Sequence, residues 1–441
     1  MIKQYKEVIK MSDKIYVIGV GMTRFAKLPG RTMKSMTGES TNLALKDCGL
    51  DKGDLEAAWF SNSGWGQSEY QHCIRGQVTL STHGIDKIPI TNVENACAGG
   101  STAFHSAWMS IKAGVYDVSL AVGAEKMYFD KPPRVTSGGI PGLGAMSGFI
   151  SGTDVEDTLN MMGALKKQFE AGNKPPTEKK GDDEKSGEKK PKKKDHSIFM
   201  DFYAAGARNH MKTYGTTQRQ IAAIASKNHN NSTMNPLAQY TFPQTIEQVM
   251  NDYIVAYPLT RAMCAPTGDG SAAAILCSEQ FLNDNPSLRD RAILIRASIL
   301  RSGSRQSFNE IKVASDIAYK TAGLGPEDID VSEVHDATAY AELHVTEGLG
   351  YCPVGQGGPF AESGATALDG KVAVNPSGGL LARGHPIGAS GIAQMYELVT
   401  QLRGEAGERQ VKDAKIALAH NGGGNLGPGG AALCIHILGN N

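Results

Sequence analysis

One cysteine stands where an apolar run meets a glycine-rich helix start. Cys97 lies in the sequence NACAGGST at residues 95–102, after the apolar run 90–93 and before helix-like apolar positions that begin at Ala103. At such a turn, free backbone N–H groups and the positive end of the helix dipole stabilise a thiolate, and glycines leave room for a substrate. Cys97 is therefore predicted to be an ionised nucleophile, although a buried, inert cysteine suits its local sequence equally well.

Two histidines occupy positions from which they could act on such a thiol. His385 lies between Gly384 and Pro386, ahead of a helical pattern, and this rigid backbone holds its ring in a defined place. It could deprotonate a thiol or donate to an oxyanion, or it could merely cap the helix. His335 precedes Asp336 at the end of a predicted strand, where it could donate to a carbonyl oxygen with Asp336 orienting it; a structural His–Asp pair fits as well.

A third histidine, His420, stands just before a glycine-rich tail. The tail contains the pattern GxGxxG from Gly422 to Gly427 after a predicted strand, which is typical of dinucleotide sites. Only 14 residues follow Gly427, too few for the helix, strand and ribose-binding acid of the complete unit. The glycines are instead predicted to present backbone N–H groups to a reacting oxygen, beside His420. One cysteine and three histidines so placed suit acyl transfer through a thioester.

The elements that must position these residues alternate between strands and helices. Short apolar runs lie at 15–20, 57–61, 90–94, 118–122, 292–298, 331–335, 372–375 and 415–419, and helical patterns at 40–48, 99–113, 312–322 and 388–402. This alternation favours an α/β fold with a parallel or mixed sheet covered by helices. Because both halves run from a strand to a loop with a reactive residue, a long helix and another strand, we expect two duplicated halves.

The two halves are predicted at residues 14–285 and 286–441. Between about 128 and 258 the alternation is lost, which indicates a cap or loop subdomain inserted in the first half. Within it, residues 172–195 hold nine lysines, six acidic residues and three prolines but no large apolar side chain. Such a segment buries too little surface to fold, so we expect a disordered, solvated insert; binding of a partner or polyanion is the less favoured interpretation.

Composition excludes several classes of partner and site. The 441 residues carry 45 basic and 45 acidic side chains, so no net field attracts nucleic acid or an anionic membrane. Seven cysteines without a CxxC pair fit neither a disulfide framework nor a zinc ribbon, so we expect no metal in this chain. The apolar stretch near the N-terminus is too short for a signal peptide or a membrane span, which predicts a cytoplasmic protein.

Taken together, these motifs resemble the thiolase superfamily, and the resemblance spans nearly the whole chain. It rests on IGVGMTRF at 18–25, the Cys97 segment, APTGDGSAAA at 265–274, the His335–Asp336 pair, GHP at 384–386 and the glycine-rich tail. The start and the His–Asp pair are most similar to the sterol-carrier-protein-type branch, including bacterial and archaeal members that associate with a small zinc-ribbon and OB-fold protein. The resemblance implies a thiolase fold of five αβαβα layers, a homodimer or higher oligomer, and coenzyme A and acyl-CoA as substrates that enter through the cap.

The resemblance also implies roles for individual residues. Cys97 falls on the acyl-accepting nucleophile, His385 on the histidine that activates it, and His335 on an oxyanion donor. The backbone N–H groups of Cys97 and Gly422 would form a second oxyanion hole. The implied enzyme is an acyltransferase that cleaves a 3-oxoacyl-CoA with CoA through an acyl-enzyme, or that runs the reverse Claisen condensation.

Two positions depart from the family pattern. Many thiolases carry a cysteine in the tail that acts on the α-carbon of the substrate, and here that position is His420. Sterol-carrier-type members often carry this base directly after the His–Asp pair, and here that position is Ala337. His420 is therefore the candidate for handling the α-carbon proton.

Other functions remain open from the sequence. A 3-oxoacyl synthase also uses a cysteine and two histidines, but in different local motifs. A retro-aldol lyase on the same fold tends to lack the nucleophilic cysteine, and a non-catalytic thiolase-like subunit organising a partner protein is suggested only by the charged insert. Large apolar residues could line a pocket for a bulky or aromatic acyl chain, such as that of benzoylsuccinyl-CoA, and they are Trp65, Met127, Tyr128, Phe129, Met146, Phe149, Met161 and Met162.

Overall fold

The structure is a computed structural model that describes residues 14–69, 71–130, 197–306, 309–427 and 429–440. The charged insert predicted at 172–195 lies outside the described residues. The strands are β1 (Ile15–Met22), β2 (Ala57–Ser61), β3 (Ile90–Val93), β4 (Val118–Glu125), β5 (Ile254–Ala256), β6 (Leu259–Thr260), β7 (Gly270–Ser278), β8 (Ile293–Ser302), β9 (Val331–Glu333), β10 (Ala373–Val374), β11 (Ile416–Leu426) and β12 (Gly429–Gly439). The helices are α1 (Met33–Cys48), α2 (Trp65–Glu69), α3 (Arg75–Ser81), α4 (Gly99–Lys112), α5 (Ile198–Tyr214), α6 (Gln218–Ser232), α7 (Ile246–Met250), α8 (Glu279–Asp284), α9 (Glu310–Ala322), α10 (Ala339–Gly348), α11 (Gly357–Glu362), α12 (Gly379–Ala382) and α13 (Ser390–Leu402).

Two sets of five strands repeat one order and one pattern of direction. The first set runs β3-β2-β4-β7-β1 and the second β10-β9-β11-β12-β8. In each set the two pairings nearest the outer edge are parallel and the next two are antiparallel. The predicted duplication is thus visible in the topology. The sets join through a short antiparallel pairing of β1 with β8, at Tyr16↔Leu294 and Val17↔Ile293. The boundary at 285/286 stays a prediction.

Helices cover both faces of each set of strands. The helices α4 and α13 lie between the two sets and share one apolar core with β1, β7, β8 and β11. On the far side of the first set, α1 and α3 close a second core. On the far side of the second set, α9 and α10 close a third. Helix, sheet, helix, sheet and helix therefore follow one another, as predicted for the five-layered α/β fold.

Alternation along β7 shows how the sequence builds two cores at once. Its residues Gly270–Ser278 are buried along the whole strand. Ala272, Ala274 and Leu276 belong to the central core, whereas Ala273, Ile275 and Cys277 belong to the outer one. Successive side chains of a strand point to opposite faces, so a run of small and apolar residues lets helices pack closely on both sides.

The described part of the predicted cap is helical. The helices α5, α6 and α7 and the hairpin of β5 and β6 pack with α10 and α12 into a fourth apolar cluster, which contains Ile221, Ile224, Leu259 and Leu343. This cluster stands beside the cavity described below. Among the described residues, no helix combines the length and the apolar character needed to cross a membrane.

Candidate active site

Cys97 lies in the turn between β3 and α4. Ala96, just before it, has φ +48°, a left-handed conformation that is costly for an L-residue by about 1–2 kcal/mol. The Ala96 N–H donates to Glu94 Oε1 at 2.6 Å, which holds this turn in place. Since α4 begins at Gly99, Cys97 stands ahead of the helix, half-buried and facing the cavity. The sequence-based position at a strand-to-helix turn is correct.

Gly423 of β11 fits against the opposite side of this turn. A Cβ atom added to Gly423 would lie 2.1 Å from the carbonyl oxygen of Asn95 and 2.5 Å from the nitrogen of Ala98. No side chain fits that space, so only glycine allows β11 to approach the Cys97 turn. Its neighbour Gly422 has no atom within 4 Å of an added Cβ, and it lines the cavity.

His385 reaches the same cavity from the second half of the chain. Gly384 takes φ +110°, and Pro386 then leads through a 3-10 turn at Ile387–Ala389 into α13. His385 Nδ1 lies 2.7 Å from Ser390 Oγ, and that hydroxyl donates its single proton to the carbonyl oxygen of Pro386 at 2.9 Å. Because the hydroxyl can then only accept, Nδ1 carries the imidazole proton. His385 Nε2 is therefore left with a free lone pair, as a base requires.

His335 lies beside His385 and has its own partner. The two ring centroids are 5.3 Å apart, with the rings nearly perpendicular. The Asn421 amide nitrogen Nδ2 lies 3.2 Å from His335 Nδ1. An amide N–H can only donate, so in this orientation Nδ1 accepts and His335 presents Nε2–H as a donor. This tautomer suits the predicted oxyanion donor.

His420 is held by the backbone of His335. The His335 N–H donates to His420 Nδ1 at 3.4 Å, so the neutral ring carries its proton on Nε2. That Nε2–H is buried and has no hydrogen-bond partner among the described residues, and His420 lines the cavity. In this tautomer His420 can donate a hydrogen bond, but it has no lone pair with which to remove a proton. The geometry thus favours a donor over the acid–base role suggested by its position in the sequence.

The four sequence-predicted side chains meet in one cavity of about 2070 Å³, which Gly422 also lines. Cys97 Sγ and one ring nitrogen each from His335 and His385 all lie within 4.8 Å of one another. His335, His385 and His420 keep less than a tenth of their surface exposed. A sulfur beside a base and two imidazole donors, away from bulk water, can form and resolve a thioester.

The protonation state of Cys97 differs from the sequence-based expectation of a thiolate. Burial, together with the carboxyl groups of Glu125 and Glu94, raises the pKa of the Cys97 thiol to about 12. Burial and negative neighbours both disfavour the anion. Cys97 therefore rests as a neutral thiol.

His385 is correspondingly neutral. Burial lowers the pKa of His385 well below its ordinary value, and His335 and the Arg383 guanidinium lower it further. Burial likewise lowers the pKa of His335 to about 4. The centre therefore holds a neutral thiol and neutral imidazoles at neutral pH.

Glu125 is a site residue that the sequence analysis missed. Its buried carboxylate accepts hydrogen bonds from Asn62 Nδ2 at 2.8 Å and from the N–H groups of Ser63, Gly64 and Gly388 at 3.0, 2.8 and 3.0 Å. It thereby fixes the loop after β2 to the turn that follows His385. A glutamate closing the apolar run VSLAVGAE was the signal that could have identified it.

Asp336 does not orient His335 as the sequence analysis suggested. Its carboxylate instead accepts from the Leu380 N–H at 2.6 Å and from Asn228 Nδ2 at 2.8 Å. The partner of His335 is Asn421. Asn421 lies in the glycine-rich tail, where no sequence pattern marks it as a site residue. Among the predicted acyl-pocket residues, Met127 lines the cavity, whereas Trp65 packs in the outer core beside α1. Four others, Met146, Phe149, Met161 and Met162, lie outside the described residues.

Comparison with known proteins identifies the family to which this chain belongs. Residues 15–256 match the model of the thiolase N-terminal domain, and residues 297–439 match that of the thiolase C-terminal domain-like family. An acetyl-CoA acetyltransferase of Methanothermobacter thermautotrophicus is 36% identical over 433 residues, covering 96% of this chain and 99% of the relative. Sterol carrier protein 2 of Homo sapiens is 35% identical over 441 residues, covering 95% of this chain and 71% of the relative.

Solved structures share the fold. The Ltp2-ChsH2(DUF35) aldolase aligns with a TM-score of 0.72 at 21% identity, covering 98% of this chain and 99% of that chain. Human mitochondrial 3-ketoacyl-CoA thiolase in complex with CoA aligns with a TM-score of 0.67 at 17% identity, covering 97% and 98%. With both domain models matched, and with relatives above 30% identity along nearly its full length, the chain belongs to the thiolase family and is similar to its sterol-carrier-protein-2 and archaeal members.

Proposed function

We propose that this chain is an acyl-CoA C-acyltransferase that cleaves a 3-oxoacyl-CoA with CoA, or condenses two acyl-CoA molecules in reverse. The observation that carries the proposal is the close grouping of Cys97 Sγ with nitrogens of His335 and His385. A thiol next to an imidazole with a free lone pair is a nucleophile with its base. The relatives named acetyl-CoA acetyltransferase support the same reaction class.

The first half-reaction forms an acyl-enzyme. His385 Nε2 takes the proton from Cys97 as the sulfur attacks the keto carbon, and the backbone N–H groups of Cys97 and Gly422 stabilise the oxyanion. The bond between the keto carbon and the α-carbon then breaks, leaving the enolate of a shortened acyl-CoA. Nε2–H of His335 stabilises the enolate oxygen. Free CoA next attacks the thioester and releases the acyl group from Cys97.

One base, His385, is enough to carry the proton that is transferred in this half-reaction. The imidazolium of His385 carries the proton that left Cys97, and this proton can be delivered to the α-carbon of the leaving enolate. Ala337 offers no acid, and His420 presents only a hydrogen bond in its tautomer. We therefore assign His420 a stabilising contact to a substrate oxygen rather than the transfer of the α-carbon proton.

The remaining wall of the cavity suits CoA and a bulky acyl group. Arg208 and Lys212 of α5, together with Arg261, bring positive charge to the cap side, where the phosphates of CoA would bind. Aromatic and sulfur-containing side chains give apolar surface for the acyl chain, among them Phe199, Met200, Tyr203 and Tyr340. An aromatic 3-oxoacyl-CoA such as benzoylsuccinyl-CoA fits this composition.

Assembly with other chains is part of the proposal. Among the described strands, the half-exposed β3 is an edge strand with a neighbour on one side only, which supports pairing in a homodimer or higher oligomer. The two-component name of the Ltp2-ChsH2(DUF35) aldolase supports a small partner subunit, which we expect to be a zinc-ribbon and OB-fold protein.

A cytoplasmic location accords with the seven free cysteines.

Intact-mass spectrometry tests the function directly. The full chain, alone and with a partner subunit where one is found, is mixed with a series of acyl-CoA and 3-oxoacyl-CoA thioesters. We expect a mass gain equal to the acyl group, absent in Cys97→Ala and retained in Cys264→Ala, a control thiol of the same cavity. Failure of every thioester to leave an adduct on Cys97 would reject the acyltransferase.

A retro-aldol lyase is the alternative that this experiment separates. Its reaction needs no covalent adduct on sulfur, so cleavage of a 3-hydroxyacyl-CoA that persists in Cys97→Ala would favour it. The position of Cys97 beside its base favours acyl transfer. A non-catalytic subunit would show neither adduct nor cleavage.

A further inference from the structure

Three side chains at the centre of the cavity form a donor set that suits a divalent metal ion. The thiol of Cys97 and the imidazoles of His335 and His385 each offer one atom, and the three atoms lie within 4.8 Å of one another. Cysteine sulfur and histidine nitrogen are the usual zinc ligands, at about 2.3 and 2.0–2.1 Å from the ion. In a tetrahedral site the sulfur and a nitrogen are then about 3.6 Å apart, so their present spacing of up to 4.8 Å needs to close by at most about 1.2 Å.

The hydrogen bonds behind the ligands favour metal binding at His385. Its Nδ1–H points to Ser390 Oγ at 2.7 Å, which leaves the Nε2 lone pair free to bind a metal. Zinc-bound histidines characteristically donate their second N–H to such an acceptor, which fixes both the tautomer and the ring. His385 is therefore ready to bind a metal without rearrangement.

His335 becomes a ligand by a rotation of its partner. In the present orientation the Asn421 amide nitrogen faces His335 Nδ1, and Asn421 Oδ1 is buried without a hydrogen-bond partner among the described residues. Turning the amide by half a rotation brings Oδ1 to Nδ1, where it accepts Nδ1–H. The proton then leaves Nε2, and this nitrogen can bind a metal. The amide of Asn421 thus decides whether His335 offers a donor for an oxyanion or a lone pair for a cation.

Two carboxyl groups add negative potential around the sulfur. Glu94, which accepts from the Ala96 N–H at 2.6 Å, and the buried Glu125 both interact electrostatically with Cys97. Negative charge at this place opposes a thiolate but favours a dication bound to one. The cavity side of the group remains open for a water molecule as the fourth ligand.

We propose that Cys97, His335 and His385 bind Zn²⁺ as a reversible inhibitory site that excludes acyl-CoA. On binding, the Cys97 S–H bond breaks, a sulfur–zinc bond forms, and the proton is released to solvent. The metal occupies the nucleophile and its base together, so acylation stops until a chelator or a competing ligand removes the ion. Binding itself requires only the three side chains; inhibition of acylation rests on the proposed function.

Cobalt provides the readout, because Co²⁺ replaces Zn²⁺ in such sites and is coloured. The full chain is reduced, freed of metal with a chelator, exchanged into buffer without it, and titrated with Co²⁺ under anaerobic conditions. We expect a sulfur-to-cobalt absorption band in the near ultraviolet and the visible bands of tetrahedral Co²⁺, both saturating at one ion per chain. Added Zn²⁺ should bleach these bands, and Zn²⁺ should block the acyl adduct on Cys97 until chelator restores it.

Variants locate the site. Cys97→Ala should abolish the sulfur band, and His335→Ala should weaken Co²⁺ binding on the order of 100-fold, as expected for the loss of a ligand. Asn421→Asp supplies a permanent acceptor for His335 Nδ1–H and should strengthen binding by about tenfold. Cys264→Ala removes another thiol of the same cavity, one outside the grouped ligands, and should leave the spectrum unchanged.

The outcomes separate this inference from the acyltransferase. No sulfur band, a band that survives in Cys97→Ala, or a band lost in Cys264→Ala overturns the metal site. An acyl adduct formed in the presence of chelator, together with no cobalt band, retains the acyltransferase and rejects the metal site. A cobalt band that depends on Cys97, without any acyl adduct, retains the metal site and rejects the acyltransferase.

Discussion

At the scale of single residues, the chemistry depends on two neighbouring uncharged groups, the thiol of Cys97 and the imidazole of His385. Burial keeps Cys97 protonated and His385 unprotonated, so no thiolate–imidazolium pair forms at rest. The sulfur becomes nucleophilic only while His385 Nε2 removes its proton. Because that transfer is favourable only when a carbonyl carbon accepts the sulfur, we expect the free enzyme to be protected from adventitious oxidation and alkylation.

The pH dependence of alkylation measures this state. With the pKa of Cys97 raised to about 12, the thiolate fraction still increases with pH beyond the range where ordinary thiols are fully ionised. We expect the rate of iodoacetamide modification of Cys97, followed by peptide mass spectrometry, to climb without a plateau through pH 10. A cysteine in an unstructured peptide, measured in parallel, should level off about one pH unit above its ordinary pKa of about 8.5. A plateau for Cys97 below about pH 8 would mean a resting thiolate–imidazolium pair.

At the scale of elements, the site depends on how closely β11 approaches the turn before α4. Gly422 and Gly423 are adjacent in this strand, but only Gly423 faces the turn at contact distance. The pair therefore offers an internal comparison of the same chemical change at two neighbouring positions.

Gly423→Ala should lower the rate of acyl-enzyme formation by about tenfold or more, because its Cβ would lie 2.1 Å from the Asn95 carbonyl oxygen and push the Cys97 turn aside. Gly422→Ala meets no atom within 4 Å, so it leaves the Cys97 turn in place and should lower the rate less than Gly423→Ala, by whatever its methyl group costs in the cavity. Single-turnover acylation measures both, and far-ultraviolet circular dichroism verifies the fold. Equal effects of the two substitutions would contradict the close-approach explanation.

Local sequence patterns predict most of the strands that carry the site. The runs at 57–61 and 90–94 correspond to β2 and β3, and the run at 118–122 corresponds to the first part of β4. The patterns missed β7, because its alanine-rich segment has little intrinsic preference for strands and becomes a strand through its neighbours. They also missed β12, although its residues 433–438, LCIHIL, are typical of a strand.

Local sequence patterns likewise predict some features of the site and miss others. Residue type and turn position predict where Cys97 and His385 lie, because proline restricts the backbone and glycine adopts conformations that other residues avoid. That the two act together is what the resemblance to the thiolase superfamily implies. The protonation of Cys97 and the partner of His335 depend on burial and on residues distant in sequence, such as Glu125 and Asn421. A neutral resting centre therefore could not be predicted from motifs.

At the scale of the whole molecule, buried imidazoles extend beyond the cavity. Ser298 Oγ lies 2.9 Å from His436 Nδ1 and 2.9 Å from His105 Nδ1, which ties β8, β12 and α4 together. His436 has no exposed surface, and burial lowers its pKa to about 3. Such a histidine is neutral in the folded chain but binds a proton in the unfolded chain below pH of about 6.5.

The buried, neutral His436 makes the folded chain less stable in acid. A base with a lowered pKa in the folded state gives stability that is complete above about pH 6.5 and is lost as the pH falls towards the folded pKa. Urea unfolding at pH 7, 6 and 5 should therefore show stability decreasing with acid. His436→Asn, which keeps an N–H near Ser298, should reduce this slope by up to about 1.4 kcal/mol per pH unit. An unchanged slope would mean that His436 titrates normally.

The repeated strand order places the nucleophile and its base at equivalent points of the two halves. Cys97 precedes the central helix α4 after β3, and His385 precedes the central helix α13 after β10. The two turns are therefore topologically equivalent, as expected if one ancestral turn had been copied and each copy had then specialised. Neither copy alone contains a reactive pair, so separately expressed halves should regain the power to form a thioester only when they reassemble.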